Sequence, residues 1–231
     1  MNEPYVADAL GMAAVAEIRS GMIVGLGTGR TANRGIRALA ERVREDGLQI
    51  KCVATSEVSD ALARDLGLEV VEFALLERVD YLFDGADEVD SELRALKGSG
   101  GAMTRERLVA WAADRVVYMV AENKMVESLG SSNTLAIAVL PFGLGPIRAE
   151  LRSMGLIGVC RRKINGELFI TDNGNLILDV TIDDGEDLEQ LAATLNDMPG
   201  VIDHGLFLDE ADEILVERAD GKIDRMVRQR T

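Results

Sequence analysis

The stretch Met22-Ile23-Val24-Gly25-Leu26-Gly27-Thr28-Gly29-Arg30-Thr31-Ala32 decides the fold of this 231-residue chain. Its first five residues form a short apolar run that ends in glycines, which is typical of a buried parallel strand. Apolar residues on one face then predict a helix from about Thr31 to Arg44. Backbone N–H groups and the helix dipole can bind an anion at such a junction. A tight strand-to-helix turn without a ligand is the alternative.

The glycine loop also fits a relaxed dinucleotide fingerprint, through Gly27, Gly29 and Ala32. That interpretation requires an acid at the end of the second strand to bind the ribose hydroxyls. Ala54-Thr55-Ser56 stands there instead. A nucleotide-binding Walker A loop is excluded because no Gly-Lys-Ser/Thr ends the motif. Phosphate binding without a nucleotide therefore fits the loop better.

Strands and helices continue to alternate through the first half of the chain. The predicted helices are 3–20, Ser56–Leu66 and 104–113, and the predicted strands are Ile50–Ala54, Leu68–Val71, Tyr81-Leu82-Phe83 ending on Asp84, and Arg115–Val120. This alternation predicts an α/β fold, in which helices cover both faces of a doubly wound, mostly parallel sheet. Ligands bind at the carboxyl ends of the strands in such sheets, and the unusual loops of this chain begin there.

After Gly130 the pattern changes to that of a compact α+β unit. Helices are predicted at Pro146–Met154 and 186–197, and strands at Leu135–Leu140, Ile157–Lys163, Phe169-Ile170-Thr171 and Leu176–Val180, with a hairpin turn at Asn165-Gly166. In the tail from Gly205, strands are predicted at Phe207-Leu208 and Glu213–Glu217, without a further helix. We therefore divide the chain into a first, α/β domain (1–129), an α+β domain (130–205) and a return to the first domain (206–231).

The charge balance restricts the class of ligand. Forty acidic residues against 25 basic ones give a net charge of −15, which disfavours nucleic-acid binding. A phosphate must be received by a local positive site, so a lysine in a glycine-rich loop draws attention. No apolar run approaches the roughly 20 residues that span a bilayer. Acids near the N-terminus disfavour a signal peptide, so a cytoplasmic location is expected, with Cys52 and Cys160 as free thiols.

An acidic loop, Asp84-Gly85-Ala86-Asp87-Glu88-Val89-Asp90-Ser91-Glu92, follows the third predicted strand. Acids this close together repel one another and are tolerated mainly where a cation or catalysis uses them. The spacing excludes an EF-hand, whereas a Mg²⁺ site stays open. Asp84 ends an apolar strand and is the strongest candidate. The role of Glu88 is left open, and Asp90 and Glu92 are expected to face water.

A second glycine-rich loop, Lys97-Gly98-Ser99-Gly100-Gly101, is followed by a helix that carries Glu106. If Thr104 is the N-cap, Glu106 occupies the second helical position, where a carboxylate commonly complements the helix dipole. The functional alternative is that Glu106 faces the same cleft as Lys97 and Asp84. A base beside an ammonium group suits proton abstraction next to a carbonyl.

In the order and spacing of its motifs, the chain resembles the type A ribose-5-phosphate isomerase family. The resemblance is carried by GLGTGRTA, TSEVSDALARDLGL, DGADE, KGSGGAMTRERLVA, NK, TDNGNLILDV and MPGVIDHGLF, from about residue 11 to 216. It implies a Rossmann-like α/β domain with an inserted ferredoxin-like α+β domain, assembled as a homodimer or homotetramer. It also implies interconversion of D-ribose 5-phosphate and D-ribulose 5-phosphate through an enediolate, without a metal or other cofactor.

The resemblance further implies a role for each matched residue. Glu106 matches the base that moves the proton, Asp84 and Asp87 the acids that contact sugar hydroxyls, and Lys97 the ammonium that stabilises a developing oxyanion. The remaining substrate-binding positions are Thr28, Gly29, Arg30, Thr31, Gly85, Ala86, Gly98, Ser99, Gly100 and Lys124. Two of them depart from the usual pattern, because the family commonly has serine at Arg30 and glycine at Ser99.

Two other functions compete with this one. A non-catalytic sugar-phosphate-sensing domain is expected to lack the base or the ammonium, yet Glu106 and Lys97 are both present. A CoA-transferase-like enzyme, with a glutamate nucleophile, is disfavoured by the pairing of DGADE with KGSGG. The single histidine, His204, is expected to be a structural or surface residue. Trp111 is expected to pack in the core under the Glu106 helix.

Overall fold

The computed structural model describes residues 8–229 of the chain. The helices of this region, in chain order, are α1 (Ala9–Val15), α2 (Arg30–Asp46), α3 (Glu57–Asp65), α4 (Met103–Trp111), α5 (Leu144–Ser153) and α6 (Leu188–Asp197). The strands are β1 (Ile23–Leu26), β2 (Lys51–Ala54), β3 (Tyr81–Gly85), β4 (Glu88–Val89), β5 (Ala95–Leu96), β6 (Val116–Ala121), β7 (Leu135–Val139), β8 (Val159–Cys160), β9 (Leu176–Val180), β10 (Val201–His204), β11 (Leu206–Phe207), β12 (Glu213–Glu217) and β13 (Ile223–Val227). None of the described helices is long and apolar enough to cross a bilayer.

The chain divides into two compact units. The first comprises the described residues of Met1–Gly85, Leu108–Glu122 and Ala211–Thr231, and the second comprises Ala86–Arg107 and Asn123–Glu210. The predicted boundaries at residues 129 and 205 differ from this division, chiefly because residues 86–107 group with the second unit. The domain boundaries therefore stay a prediction.

A six-stranded sheet forms the first unit, in the order β13-β12-β6-β3-β1-β2. All of its neighbouring pairs are parallel except β12 with β13 at the edge. Buried apolar side chains from α1, α2 and the sheet pack into one core, including Leu10, Ile36, Leu39 and Phe83. The chain runs from β1 outward to β2 and then returns past β1 to β3. Ligands of open α/β sheets bind at such a reversal of strand order, beyond the carboxyl ends of β1 and β3.

The second unit contains a four-stranded antiparallel sheet in the order β10-β7-β9-β8. With α5 and α6 these strands follow one another as β-α-β-β-α-β, the ferredoxin-like arrangement. The predicted fold class, including the ferredoxin-like unit, is thus confirmed. Its core is built from alternate residues of the strands, such as Ile137 and Leu178, and from helix residues such as Leu151 and Leu191. A separate small sheet, β11-β5-β4, carries the chain into the second glycine-rich loop.

Several predicted elements differ from those in the structure. The strand predicted at Leu68–Val71 is reduced to a bridge between Cys52 and Val70, and the strand predicted at Ile157–Lys163 keeps only β8. A helix was predicted over 3–20. Residues 3–7 of it lie outside the described region, and α1 ends at Val15. The strands β10 and β13 were not predicted, because neither VIDH nor IDRMV alternates clearly between apolar and polar residues.

Candidate active site

The loop after β1 closes against the end of β3 in the first unit. The Thr28 N–H donates to Asp84 Oδ1 at 2.9 Å, and the Gly85 N–H donates to the same oxygen at 2.7 Å. Gly27 lies so close to Asp84 that a Cβ at position 27 would overlap the carboxylate. Asp84 is fully buried. A glycine at position 27 is therefore required for the loop and the acid to lie side by side.

Hydroxyl groups from the segment that follows β2 hold this loop in place. The Thr28 hydroxyl lies 2.7 Å from the Thr55 hydroxyl. Thr55 and Ser59 donate to the carbonyls of Leu26 and Gly27, at 3.1 and 2.7 Å. Thr55 and Ser59 were not among the predicted site residues. The signal that could have found them is their position after β2, next to β1, where a dinucleotide-binding protein would carry an acid.

The other predicted residues of the first unit lie around the start of α2. Gly29 is the N-cap of this helix, Arg30 is its first residue and is exposed, and the half-buried Thr31 follows. A methyl group on Gly85 would lie 3.5 Å from Thr31 Cβ. The structure thus brings the predicted residues 28–31 together with Asp84 and Gly85, at the N-terminal end of a 17-residue helix.

A buried ion pair is the central feature of the second unit. Lys97 Nζ lies 3.3 Å from Glu106 Oε2, and the two side chains are 3% and 7% exposed. Glu106 stands in the first turn of α4, as predicted, but at its fourth position. The helix begins at Met103, and the Glu106 N–H donates to the Ala102 carbonyl at 3.0 Å. Thr104 therefore lies inside the helix, and the condition that it is the N-cap is not met.

Arg107 braces the chain around this pair. Its guanidinium donates to the carbonyls of His204 and Leu206, both at 2.8 Å, and to Asp203 at 2.7 Å. It also pairs with Glu210 and lies 4.0 Å from the centroid of the Phe207 ring, with Lys97 Nζ 5.6 Å from the same centroid. The backbone of Lys97 is fixed by its N–H, which donates to the Gly205 carbonyl at 2.9 Å. Residues 203–210 thus fix the backbone of Lys97 and the side chain of Arg107, which follows Glu106 in α4.

The second glycine loop is closed by Asp87. Ser99 N–H donates to Asp87 Oδ2 at 2.9 Å. Gly98 has φ +114°, and a Cβ there would lie 2.7 Å from Ala136 Cβ, so only glycine fits. Ser99 and Gly100 are exposed, whereas Ala86 and Asp87 are half-buried. The structure therefore brings Asp87 to the predicted loop residues. Lys124, half-buried, ends the short 3₁₀ helix Glu122–Lys124.

The remaining acids of the acidic loop have structural partners. Glu88 is buried and accepts from the backbone N–H groups of Gly130, Ser132 and Asn133 at 2.6 to 2.8 Å. Asp90 accepts from Arg94 Nε at 2.6 Å and is buried. The expectation that Asp90 faces water was wrong, because this side chain closes the turn that ends at Arg94. Glu92 is exposed as predicted, with 71% of its side chain accessible.

The expectation for His204 agrees with the structure, whereas the expectation for Trp111 does not. His204 is buried, and its Nδ1 accepts from the Leu206 N–H at 3.2 Å, in agreement with a structural role. Burial, followed by the charge of Arg107, lowers the pKa of His204 to about 4. Trp111 is 82% exposed, so its expected place in the core was wrong. The core-facing stripe of α4 is formed by Met103, Glu106, Val109 and Ala110, and Trp111 points away from it.

Residues 8–229 contain no cluster of three or more His, Cys, Asp or Glu side chains that could bind a metal ion. The acids that suggested a cation site in the sequence instead accept hydrogen bonds from backbone N–H groups and arginine.

Comparison with known proteins assigns this arrangement to a family. The structure defines an α/β protein with a doubly wound sheet, a ferredoxin-like unit and a buried carboxylate–ammonium pair. The model of the family ribose 5-phosphate isomerase A (phosphoriboisomerase A) matches residues 51–221. The chain belongs to this family.

Individual relatives match this chain in sequence or structure over most of their length. The chain is 44% identical over 207 residues to a ribose-5-phosphate isomerase A of Sphingopyxis alaskensis, covering 90% of both proteins. Among solved structures, a D-ribose-5-phosphate isomerase in complex with phospho-erythronic acid matches with a TM-score of 0.91 and 31% identity, over 99% of this chain and 100% of that one. Ribose 5-phosphate isomerase A from Methanocaldococcus jannaschii matches with a TM-score of 0.89 and 34% identity, over 95% and 96%.

Proposed function

We propose that this chain interconverts D-ribose 5-phosphate and D-ribulose 5-phosphate, with Glu106 as the base that moves a proton between C1 and C2. Isomerase activity is the function of the family to which the chain belongs. The observation that carries the proposed mechanism is the pair of Lys97 and Glu106, 3.3 Å apart and almost excluded from water. A carboxylate in reach of the substrate can take the proton, and a neighbouring ammonium stabilises the oxyanion that forms.

The two carboxylates that flank Gly85 and Ala86 receive the sugar hydroxyls in this proposal. Asp84 Oδ1 is oriented by the N–H groups of Thr28 and Gly85, and Asp87 Oδ2 by that of Ser99. Because these side chains are already ordered, they can accept hydrogen bonds from hydroxyls without a further loss of side-chain entropy on binding. Such contacts also assist opening of the sugar ring, which must precede proton transfer at C1 and C2.

Phosphate and polar contacts come from the two glycine loops. We assign substrate binding to Thr28, Gly29, Arg30 and Thr31 in the first loop and to Gly98, Ser99 and Gly100 in the second, together with Gly85, Ala86 and Lys124. The N-terminus of α2 supports the assignment of the first loop, since helix N-termini bind anions. The net charge of −15 makes these local contacts necessary for a dianionic substrate.

The experiment that tests this function is an assay of purified protein with ribose 5-phosphate as the sole substrate. The measurement is the initial rate of ketose formation and the amount of ketose at equilibrium. We expect ribulose 5-phosphate to form. Binding of ribose 5-phosphate without turnover would favour the competing function, a sugar-phosphate-sensing domain.

We also propose that the protein acts in the cytoplasm as a homodimer or homotetramer. Two exposed aromatic side chains support self-association, because Trp and Phe are enriched at protein interfaces relative to the rest of the surface. Trp111 and Phe142 are 82% and 97% exposed in the single chain. Light scattering coupled to size-exclusion chromatography tests this proposal, and a monomer mass near 25.0 kDa at micromolar concentration would contradict it.

A further inference from the structure

Arg161, which belongs to no motif recognised in the sequence, makes the contacts from which this inference is drawn. It follows β8, and its side chain is 15% exposed. Its guanidinium forms a two-pronged pair with the Asp179 carboxylate of β9, in which Nε donates to Oδ2 at 2.9 Å and Nη2 donates to Oδ1. Such a pair fixes the plane of the guanidinium group.

The third nitrogen of the same guanidinium reaches the second glycine loop. Arg161 Nη1 donates to the Gly98 carbonyl at 2.7 Å and to the Ser99 carbonyl at 3.0 Å. Two successive carbonyls of the loop are therefore turned toward one nitrogen atom. The positive charge of Arg161 is balanced by Asp179, so its contribution to the loop is orientation rather than attraction of an anion.

The opposite side of the same peptide group is held by Asp87. In a trans peptide the N–H points away from the carbonyl, and the Ser99 N–H donates to Asp87 Oδ2 at 2.9 Å. The Gly98–Ser99 peptide group is thus fixed between the Arg161 guanidinium and the Asp87 carboxylate. In the next peptide group the Ser99 carbonyl faces Arg161, which turns the Gly100 N–H to the side away from Arg161.

We infer that Arg161 is a positioning residue for the isomerase reaction, acting through the Gly98–Ser99 peptide group on Asp87 and on the Gly100 N–H. The inference rests on the proposed function, in which Asp87 and Gly100 contact the substrate. A loop of glycines has many accessible backbone conformations, so an outside anchor is needed to select one. Arg161 and Asp179 supply that anchor from the ferredoxin-like sheet.

The test compares Arg161→Met with Arg162→Met. Arg162 is exposed and donates to the Gly166 carbonyl in a hairpin, so it is a matched control for loss of one arginine. We expect kcat/KM of Arg161→Met to fall on the order of 10² relative to the control, since a displacement of about 1 Å can cost that much. Arg161→Lys should keep part of the activity, because an ammonium can reach the carbonyls but cannot form the two-pronged pair.

A second measurement separates positioning from a general loss of structure. If Arg161 acts through the peptide group on Asp87, then Arg161→Met combined with Asp87→Asn should lower kcat/KM by much less than the product of the two single effects. Asp179→Asn, which keeps Arg161 but loosens it, should lower kcat/KM in the same direction. This variant carries the test if Arg161→Met does not fold.

The inference is overturned if Arg161→Met retains kcat/KM within twofold of Arg162→Met, or if its effect multiplies fully with that of Asp87→Asn. Failure of the proposed function gives a different result, because the unmodified protein and Arg162→Met would then both lack isomerase activity.

Discussion

The ammonium of Lys97 lies 3.3 Å from the carboxylate of Glu106, and neither side chain is more than 7% exposed. Removing two charges from water costs several kcal/mol per ion, and their mutual attraction offsets this only in part. A pair of this kind is therefore weak as a source of stability. Its position beside a glycine loop accords better with a role in the reaction, where the base and the oxyanion-stabilising group must be held in place.

Replacing Lys97 by methionine should lower kcat by about 10² to 10³, because a preorganised charge aimed at a developing oxyanion contributes that much. Lys163→Met is the matched control, since Lys163 is exposed in a hairpin. Initial rates with saturating ribose 5-phosphate decide the outcome. A Lys97→Met enzyme that turns over within tenfold of the control would remove Lys97 from the mechanism.

Gly27→Ala should damage the site and the fold together. The added methyl group would overlap the Asp84 carboxylate, and overpacking of this kind costs about 1 to 3 kcal/mol. We expect that loss in the free energy of unfolding by urea, with a fall in kcat/KM on the order of 10² because Asp84 is displaced.

The control for this substitution is Gly145→Ala in α5, where a methyl group meets nothing within 4 Å. It should change the free energy of unfolding by less than about 1 kcal/mol and leave turnover unchanged. Equal behaviour of the two variants would show that the contact between Gly27 and Asp84 is not restrictive.

Isomerase activity should persist after dialysis against excess EDTA. Glu88 accepts hydrogen bonds from three backbone N–H groups, and Asp90 pairs with Arg94, so these acids are not arranged to coordinate an ion. The measurement is the rate before and after chelation, in buffers freed of divalent ions. Loss of activity that Mg²⁺ restores would bring back the metal interpretation of the acidic loop.

Stability should decrease in mild acid because of His204. Its pKa is lowered from 6.5 to about 4 in the folded protein, so the unfolded chain takes up the proton first as the pH falls below 6.5. Folding stability is therefore unaffected by this group above pH 6.5 and declines between pH 6.5 and 4. At pH 5 the expected loss is about 2 kcal/mol relative to pH 7.5.

The check on this prediction is urea unfolding of His204→Asn at both pH values. The asparagine carbonyl can accept from the Leu206 N–H in place of Nδ1, yet it does not titrate. The variant should thus lose about 2 kcal/mol less than the unmodified protein on going from pH 7.5 to 5. Identical losses in the two proteins would assign the acid sensitivity to other groups.

Much of the fold could be predicted because local signals and tertiary structure agree. The apolar run that ends at Leu26 and the periodic helix after it are found as β1 and α2. The strand ending near Asp84 is found as β3. Short elements were predicted poorly. The bridge at Val70 and the two-residue strand β8 are too short for periodicity to define, and their pairing depends on neighbours distant in sequence.

In the site, too, features set by neighbouring residues in the sequence could be predicted, whereas features set by tertiary packing could not. The glycines and charges of the loops indicate anion binding and acid–base chemistry from their order alone. By contrast, the exposure of Trp111, the burial of Asp90 and the contacts of Arg161 depend on which segments pack together. Arg161 lies 63 residues beyond Gly98 in sequence, and no local pattern connects the two. Thr55 and Ser59 support the first loop for the same reason, through the adjacency of β1 and β2.

The most direct test of the mechanism compares turnover and binding of ribose 5-phosphate in Glu106→Gln. The matched control is Glu92→Gln, which makes the same change at an exposed carboxylate. With Glu106 as the base, the rate of ketose formation should fall by about 10² to 10⁴ or more, while the dissociation constant measured by calorimetry stays within a few-fold of the control. A Glu106→Gln protein that forms ribulose 5-phosphate at a near-normal rate would contradict the assignment of Glu106 as the base.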